Sequence, residues 1–217
     1  MARLLSTKKL TESQRQLVLN TSHSLVEYNA ISTEVNQEVI PKKIIKNAII
    51  TSQTAAKICI KHQLKLKRVF CVGQKTARLL INAGYNVVLI CTYANFLSQI
   101  LVEAYRNETF DLLCSTQRLN TIPSALTSAG IDFKEHHIYS TLANYKSFSN
   151  QFDAVLFFSP SAVKSFFSVN EITPNYLVCI GETTAQSAKK FSKNISISRT
   201  TSIESCIARA IKLLQNQ

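Results

Sequence analysis

Two short polar turns, Ser159-Pro160-Ser161 and Gly181-Glu182-Thr183-Thr184, carry residue types that could do chemistry. Each follows an apolar run, Ala154–Phe158 in one case and Tyr176–Ile180 in the other. After each turn apolar residues recur at helical spacing, as in Ala162, Val163, Phe166 and Phe167. Hydroxyls at a strand-to-helix turn stand beside backbone N–H groups that have no partner inside the helix. Such an edge suits anions. In an open parallel sheet, the turns leaving the carboxyl ends of the strands converge on one crevice, where ligands bind. The pattern therefore predicts an anion site at Ser159, Ser161, Gly181, Thr183 and Thr184. Each hydroxyl is equally an ordinary helix cap that needs no further function.

The same pattern occurs earlier in the chain. In NAIITSQTAAK (Asn47–Lys57), Ser52 falls on Ser159, Thr54 on Ser161, Ala55 on Ala162 and Lys57 on Lys164. In RVFCVGQKTARLLINAGYN (Arg68–Asn86), Gly73 falls on Gly181, Thr76 on Thr184 and Ala77 on Ala185. Matched order and nearly equal spacing favour duplication of a half-domain over chance. The corresponding candidates here are Ser52, Gly73, Lys75 and Thr76.

A chain of 217 residues suits one large domain or two small ones, and the repeat favours two. Hydrophobic content of 46% is ample for real cores and excludes disorder. No apolar run approaches the roughly 20 residues that span a bilayer, and MARLLSTKKLTES lacks the marks of a secretory signal. No membrane association is expected, and the location expected is the cytoplasm. The six cysteines are scattered without a C-x-x-C pair and read as buried, reduced thiols rather than metal ligands or disulfides. His136 and His137 are adjacent in a strand and point to opposite faces, which argues against a shared metal. The net charge of +12 is dispersed, with nothing longer than Lys-Lys pairs. No arginine-rich run, zinc-finger spacing or RNP-like motif accompanies it, so nucleic acid is not the expected partner. The charge either solvates the surface or lines a cleft for a small polyanion. The 4 glycines fall at two strand-to-helix turns and two helix stops, leaving none for a G-x-G-x-x-G or P-loop motif.

The positioning elements follow in order. Ala2–Ser6 reads as a strand, Thr11–Asn20 as a helix capped by Thr11, and Ser24–Ile31 as a strand. The polar segment Ser32–Gln37 reads as a linker and Pro41–Lys46 as a short helix. Strands at Ala48–Ile50, Val69–Val72, Val87–Cys91, Phe110–Cys114 and Phe133–Tyr139 alternate with helices, two of which stop at Gly84 and Gly130. Leu142–Phe152 reads as a connector plus helix, and after Lys190 come strand Ile195–Ser198 and helix Ser202–Leu214. Alternation throughout predicts an α/β fold with parallel sheets covered on both faces.

The combination FFSPSAVKSFF, then CIGETTAQSAKK, with VFCVGQKTARLLINAGYNV upstream and IYST between, resembles the uroporphyrinogen-III synthase family. Order and spacing carry the likeness from about Ile49 onward; the first 45 residues match weakly. The resemblance implies two similar flavodoxin- or Rossmann-like domains joined by a two-stranded connection, with the active-site cleft between them. Residues 1–33 with 142–217 would form one domain and 37–138 the other. It implies a hydro-lyase that closes hydroxymethylbilane, a linear tetrapyrrole with eight carboxylates, into uroporphyrinogen III with inversion of the last pyrrole. No metal and no cofactor are implied, and a monomer suffices. Brief contact with hydroxymethylbilane synthase is left open. Tyr139 matches the tyrosine placed near the departing hydroxyl, and is read as proton donor or water organiser; otherwise it is a half-buried aromatic at a strand end. Arg118 stands where relatives carry a basic residue after a strand, a candidate carboxylate binder. Lys8-Lys9 and Glu182 depart from the family pattern, and Glu182 adds negative charge at a proposed anion site. A noncatalytic tetrapyrrole- or anion-binding regulatory module on the same scaffold is the alternative.

Overall fold

Short runs of buried Ile, Leu, Val and Phe, each ending at a polar turn, set the inner strands that begin at Arg3, Ile45, Leu66, Phe110, Ala154 and Tyr176. The computed structural model describes residues 1–172 and 174–215. The chain divides into two compact units, Met1–Ser32 with Leu142–Gln217 (unit 1) and Thr33–Thr141 (unit 2).

Unit 1 contains strands β1 (Arg3–Ser6), β2 (Ser24–Glu27), β9 (Ala154–Phe157), β10 (Tyr176–Cys179) and β11 (Ile195–Ile197). They form one parallel sheet in the order β11-β10-β9-β1-β2. Successive residues of a strand face opposite sides, so the sheet needs two covers. Leu5, Val155 and Leu177 pack with Ala162, Val163 and Phe166 of α6 (Pro160–Phe167) and with Ala185 and Ala188 of α7 (Glu182–Ala188). Their neighbours Leu4, Leu156 and Val178 pack with Val18 of α1 (Glu12–Leu19) and with Cys206, Ile207 and Ala210 of α8 (Ile203–Gln215). Thr11 caps α1 in a reciprocal box with Gln14.

Unit 2 contains β3 (Ile31–Val35), β4 (Ile45–Ile50), β5 (Leu66–Val72), β6 (Val87–Cys91), β7 (Phe110–Ser115) and β8 (Phe133–Ala143). The order is β3-β8-β7-β4-β5-β6, with β4 to β8 parallel. Helices α2 (Gln53–Lys61) and α3 (Gln74–Asn82) cover Ile50, Val69, Cys71 and Leu113. On the other face α4 (Ala94–Ala104) and α5 (Thr121–Ser128) cover Ile49, Phe70, Leu112 and Cys114.

Leaving β3 aside, the sheets β6-β5-β4-β7-β8 and β11-β10-β9-β1-β2 have one spatial plan entered at different points. β4 corresponds to β9 and β5 to β10, the pairs joined by the repeated serine and glycine turns. In each sheet the order reverses between the central strands, β4 and β7 in one, β9 and β1 in the other. Ligands bind at such a reversal.

Four sequence expectations fail, each for a long-range reason. Ser24–Ile31 is not one strand: β2 ends at Glu27 in the sheet of unit 1, and Ile31 opens β3 in the sheet of unit 2. Ser32–Gln37 is not all linker, because Ile31–Val35 is the edge strand beside β8, and Asn36 N–H donates to Ile138 O at 3.0 Å. Pro41–Lys46 forms no helix; β4 already begins at Ile45, paired with Leu66 and 4% exposed. Leu142–Phe152 forms no helix either. There β8 runs on to Ala143, and beyond it the buried Asn170 amide takes Phe148 N–H at 2.8 Å and donates to Lys146 O at 2.8 Å. Phe148 then lies edge-on to Tyr28 and Phe152, at 5.2 and 5.4 Å. The glycine turns also differ. Gly73 has φ +87°, a region that disfavours any side chain, whereas Gly181 has φ −176°, which any residue adopts.

A polar knot closes the lower end of unit 2. Asn47, fully buried, donates to Glu108 Oε2 (3.0 Å) and Thr109 O (2.9 Å) and accepts from Arg68 Nε (2.8 Å). Arg68 Nη2 reaches Glu108 Oε1 at 2.7 Å, and Lys46 Nζ lies 3.1 Å from Oε2. Hydrogen bonds from Arg68, Asn47 and Lys46 hold the Glu108 carboxyl down to about 2, against an ordinary 4.5. A carboxyl depressed by folding stabilises the native state above its unfolded value and loses that contribution as pH falls through its folded value. Stability from Glu108 is thus expected in full above about pH 4.5 and to fade toward pH 2. Urea midpoints for wild type and Glu108→Gln check this, since the gap between them should narrow across that window.

Candidate active site

The turn after β4 stands at the reversal point of unit 2. There Ser52, extended at φ −138° and ψ 146°, caps α2 by accepting Ala55 N–H at 3.0 Å. Its Oγ also lies 3.0 Å from the Tyr139 hydroxyl, with either group able to donate. Strand alternation alone would put Tyr139 on the face of His137, away from α2. The register shifts instead: Cys114 pairs with His137, but Ser115 pairs with Tyr139, skipping Ile138. That irregularity turns Tyr139 into the core under α2, where it is 8% exposed. Bulges commonly re-aim a side chain in this way beside active sites. Thr116 N–H donates to Tyr139 O at 3.0 Å, and Gln117 brackets Thr141, accepting its N–H at 2.9 Å and donating to its carbonyl at 3.2 Å. A cavity of about 460 Å³ opens beside Tyr139, lined also by Glu34, Asn36, Thr116, His137 and Ser140.

The neighbouring turn after β5 is built by Gly73, whose N–H donates to Cys91 O at 2.8 Å. Lys75 is exposed in the first turn of α3, but Thr76 is 4% exposed. Thr76 thus presents no hydroxyl to solvent; this turn offers backbone N–H groups and the Lys75 charge instead. Arg118 follows β7 as expected, but its guanidinium is engaged. Nε and Nη2 grip Glu135 at 2.8 and 2.6 Å, and Nη1 meets Asn120 Oδ1 at 3.1 Å. The hydrogen bond from Arg118 holds the Glu135 carboxyl below its usual range.

In unit 1, Ser159 (φ −162°) caps α6 by accepting Ala162 N–H at 3.1 Å, Pro160 occupies the first turn, and Ser161 is exposed. Thr183 is exposed, whereas Thr184 is 2% exposed and its N–H returns to Gly181 O at 3.2 Å. Helix α7 has only 7 residues and Glu182 in its first turn, so it is the weaker anion holder. At the reversal point, Thr7 N–H and Oγ1 both donate to Leu156 O, at 3.2 and 2.7 Å. Lys9 and Leu10 N–H groups go to Asn29 Oδ1 (2.9 Å) and Glu27 Oε1 (2.7 Å). The turn at Lys8-Lys9 therefore already holds a carboxylate of its own.

Sequence reading missed the Ser-Thr pairs that end β1 and β7. Ser6-Thr7 and Ser115-Thr116 occupy equivalent places, and each serine Oγ accepts the N–H two residues on, at 3.4 Å from Lys8 and 3.1 Å from Gln117. The signal was present as a second repeat, S-T-K-K against S-T-Q-R.

A family model described as uroporphyrinogen-III synthase HemD matches residues 19–208. The chain belongs to the uroporphyrinogen-III synthase family. Solved structures of that family share its fold. A uroporphyrinogen-III synthetase from Helicobacter pylori 26695 aligns with TM-score 0.71 at 16% identity, covering 98% of this chain and 100% of that one. A mutant uroporphyrinogen III synthase from the extreme thermophile Thermus thermophilus aligns with TM-score 0.66 at 14% identity, covering 100% of both. No curated protein sequence matches. Among the described residues, no helix is long and apolar enough to cross a membrane.

Proposed function

We propose that this member of the uroporphyrinogen-III synthase family is an active synthase, converting hydroxymethylbilane to uroporphyrinogen III and water. The observation that carries the reading is the pairing of Tyr139 with Ser52 at 3.0 Å, on the rim where the sheet order reverses. Tyr139 donates its proton to the departing hydroxyl of the bilane, which leaves as water. The resulting azafulvene cation is attacked by the substituted carbon of the terminal ring to give a spiro intermediate. That intermediate fragments and recloses with the ring inverted, and the proton lost at the last step returns to the phenolate.

The bilane also closes unaided, without inversion, so the protein's main task is to hold a flexible polyanion in one coil. Within unit 2 the turns at Ser52, Gly73 and Lys75, and within unit 1 those at Ser159, Ser161 and Thr183, offer hydroxyls, helix-start N–H groups and charge that suit carboxylates. Buried Thr76 and Thr184 shape their turns rather than touch the substrate, and Arg118 reaches a substrate carboxylate only by exchanging Glu135. Six buried free thiols fit a cytoplasmic setting.

The test is product analysis with freshly made hydroxymethylbilane. Diversion from the type I to the type III isomer is expected; bilane binding with an unchanged isomer ratio would instead support a noncatalytic module. Because a chain of net charge +12 meets an eight-carboxylate substrate, kcat/KM is expected to fall roughly tenfold from low to high salt. A salt-independent kcat/KM would remove long-range attraction from the account.

A further inference from the structure

We propose that Cys114, Glu135 and His137 form a binding site for a divalent cation of the zinc type, a role other than the proton transfer assigned to Tyr139. Glu135 and His137 are two apart on β8 and so project from one face, the face that carries Phe133 against α4 and α5. Cys114 belongs to the same packed cluster and pairs directly with His137 across the β7–β8 ladder. The three donors come from two hydrogen-bonded strands, a stiffer support than any loop.

The separations fit a metal shell. Cys114 Sγ lies 3.7 Å from His137 Nδ1, His137 Nε2 lies 3.3 Å from Glu135 Oε2, and one ligand atom from each residue falls within 4.8 Å of the others. Zinc bonds of about 2.3 Å to sulfur and 2.0–2.2 Å to nitrogen or oxygen put tetrahedral ligand atoms roughly 3.3–3.6 Å apart. A turn of the imidazole brings one nitrogen to face both partners. Thiolate, imidazole and carboxylate together select a borderline-soft ion over magnesium or calcium, which take oxygen alone. Three protein ligands leave a fourth position for water. On binding, the Cys114 thiol gives its proton to solvent.

One cation already occupies part of this space. Arg118 holds both oxygens of Glu135, at 2.8 and 2.6 Å, and the Ser115 carbonyl lies 3.2 Å from His137 Nδ1. The metal replaces Arg118 on Glu135, cation for cation, and the guanidinium, whose side chain is 26% exposed, turns to solvent. Binding is therefore an exchange, which gives the site a signature that adventitious surface uptake lacks.

The full-length protein is titrated with zinc chloride by calorimetry and with cobalt(II) by absorption spectroscopy. One ion per chain and a thiolate-to-cobalt charge-transfer band are expected. His137→Gln should weaken uptake roughly tenfold or more, whereas Arg118→Gln should tighten it by removing the competitor. His137, with a side chain 41% exposed, is the substitution least able to disturb the fold, and Cys114→Ser should erase the charge-transfer band. No uptake, uptake indifferent to His137→Gln, or cobalt binding without a sulfur band would each overturn the site.

Discussion

Replacing Tyr139 by Phe is expected to slow formation of the type III isomer by about 100-fold, the usual yield of a positioned general acid. Type I product should then dominate, because the bilane left unprotonated on the protein escapes and closes on its own. Phe fills the same volume in a pocket only 8% exposed, so urea midpoints should barely move. Ser52→Ala is expected to lower the rate about tenfold and to cost about 1 kcal/mol of stability through the lost cap of α2. Ser52→Thr keeps both hydroxyl and cap and should retain most of the rate. The decisive variant is the double one. If Ser52 acts by aiming the phenol, Tyr139→Phe with Ser52→Ala should be no slower than Tyr139→Phe alone. Additive losses would separate the two residues, and an unchanged rate for Tyr139→Phe would remove it from the mechanism.

Asn47→Ala is expected to cost roughly 2–4 kcal/mol. The side chain is fully buried and is the only one among the described residues that joins Arg68, Glu108 and the Thr109 carbonyl. Truncation leaves a guanidinium edge and a carbonyl short of the partner that Asn47 supplied. Lys46→Ala, removing a partner of the same Glu108 from a side chain 68% exposed, should stay within about 0.5 kcal/mol. Chemical unfolding of both variants checks the contrast; an Asn47→Ala protein as stable as Lys46→Ala would mean the knot contributes little.

The alternation of Ala154–Phe158, Ser159 turn and helix, repeated from Asn47, was enough to read the α/β class and the two serine caps, because both are local. What stayed hidden depends on residues far apart in the chain. Asn170 keeps Lys146–Phe148 from coiling, and Leu66 draws Ile45 into a strand. Within the candidate site, period-2 reasoning points Tyr139 the wrong way, since the skipped Ile138 is invisible to it. Hydroxyls at Thr76 and Thr184 read as substrate-facing, but each lies on the inward side of its helix, at 4% and 2% exposure. Arg118 read as available because Glu135, its partner, lies on another element 17 residues away.

The permuted entry into the two sheets also bears on how the chain is made. Every strand of unit 2 leaves the ribosome in one continuous stretch, so that unit has all its neighbours as soon as β8 emerges. Unit 1 does not: Arg3 meets Asp153, 150 residues later, which at cellular translation speeds is a delay of roughly 8–30 s. Strand β1 is born first, beside β2, but lacks its other neighbour β9 until Ala154–Phe157 has emerged. On stalled nascent chains released just beyond Thr141, unit 2 is expected to resist protease while residues 1–32 are still cut, the reverse of simple N-to-C maturation.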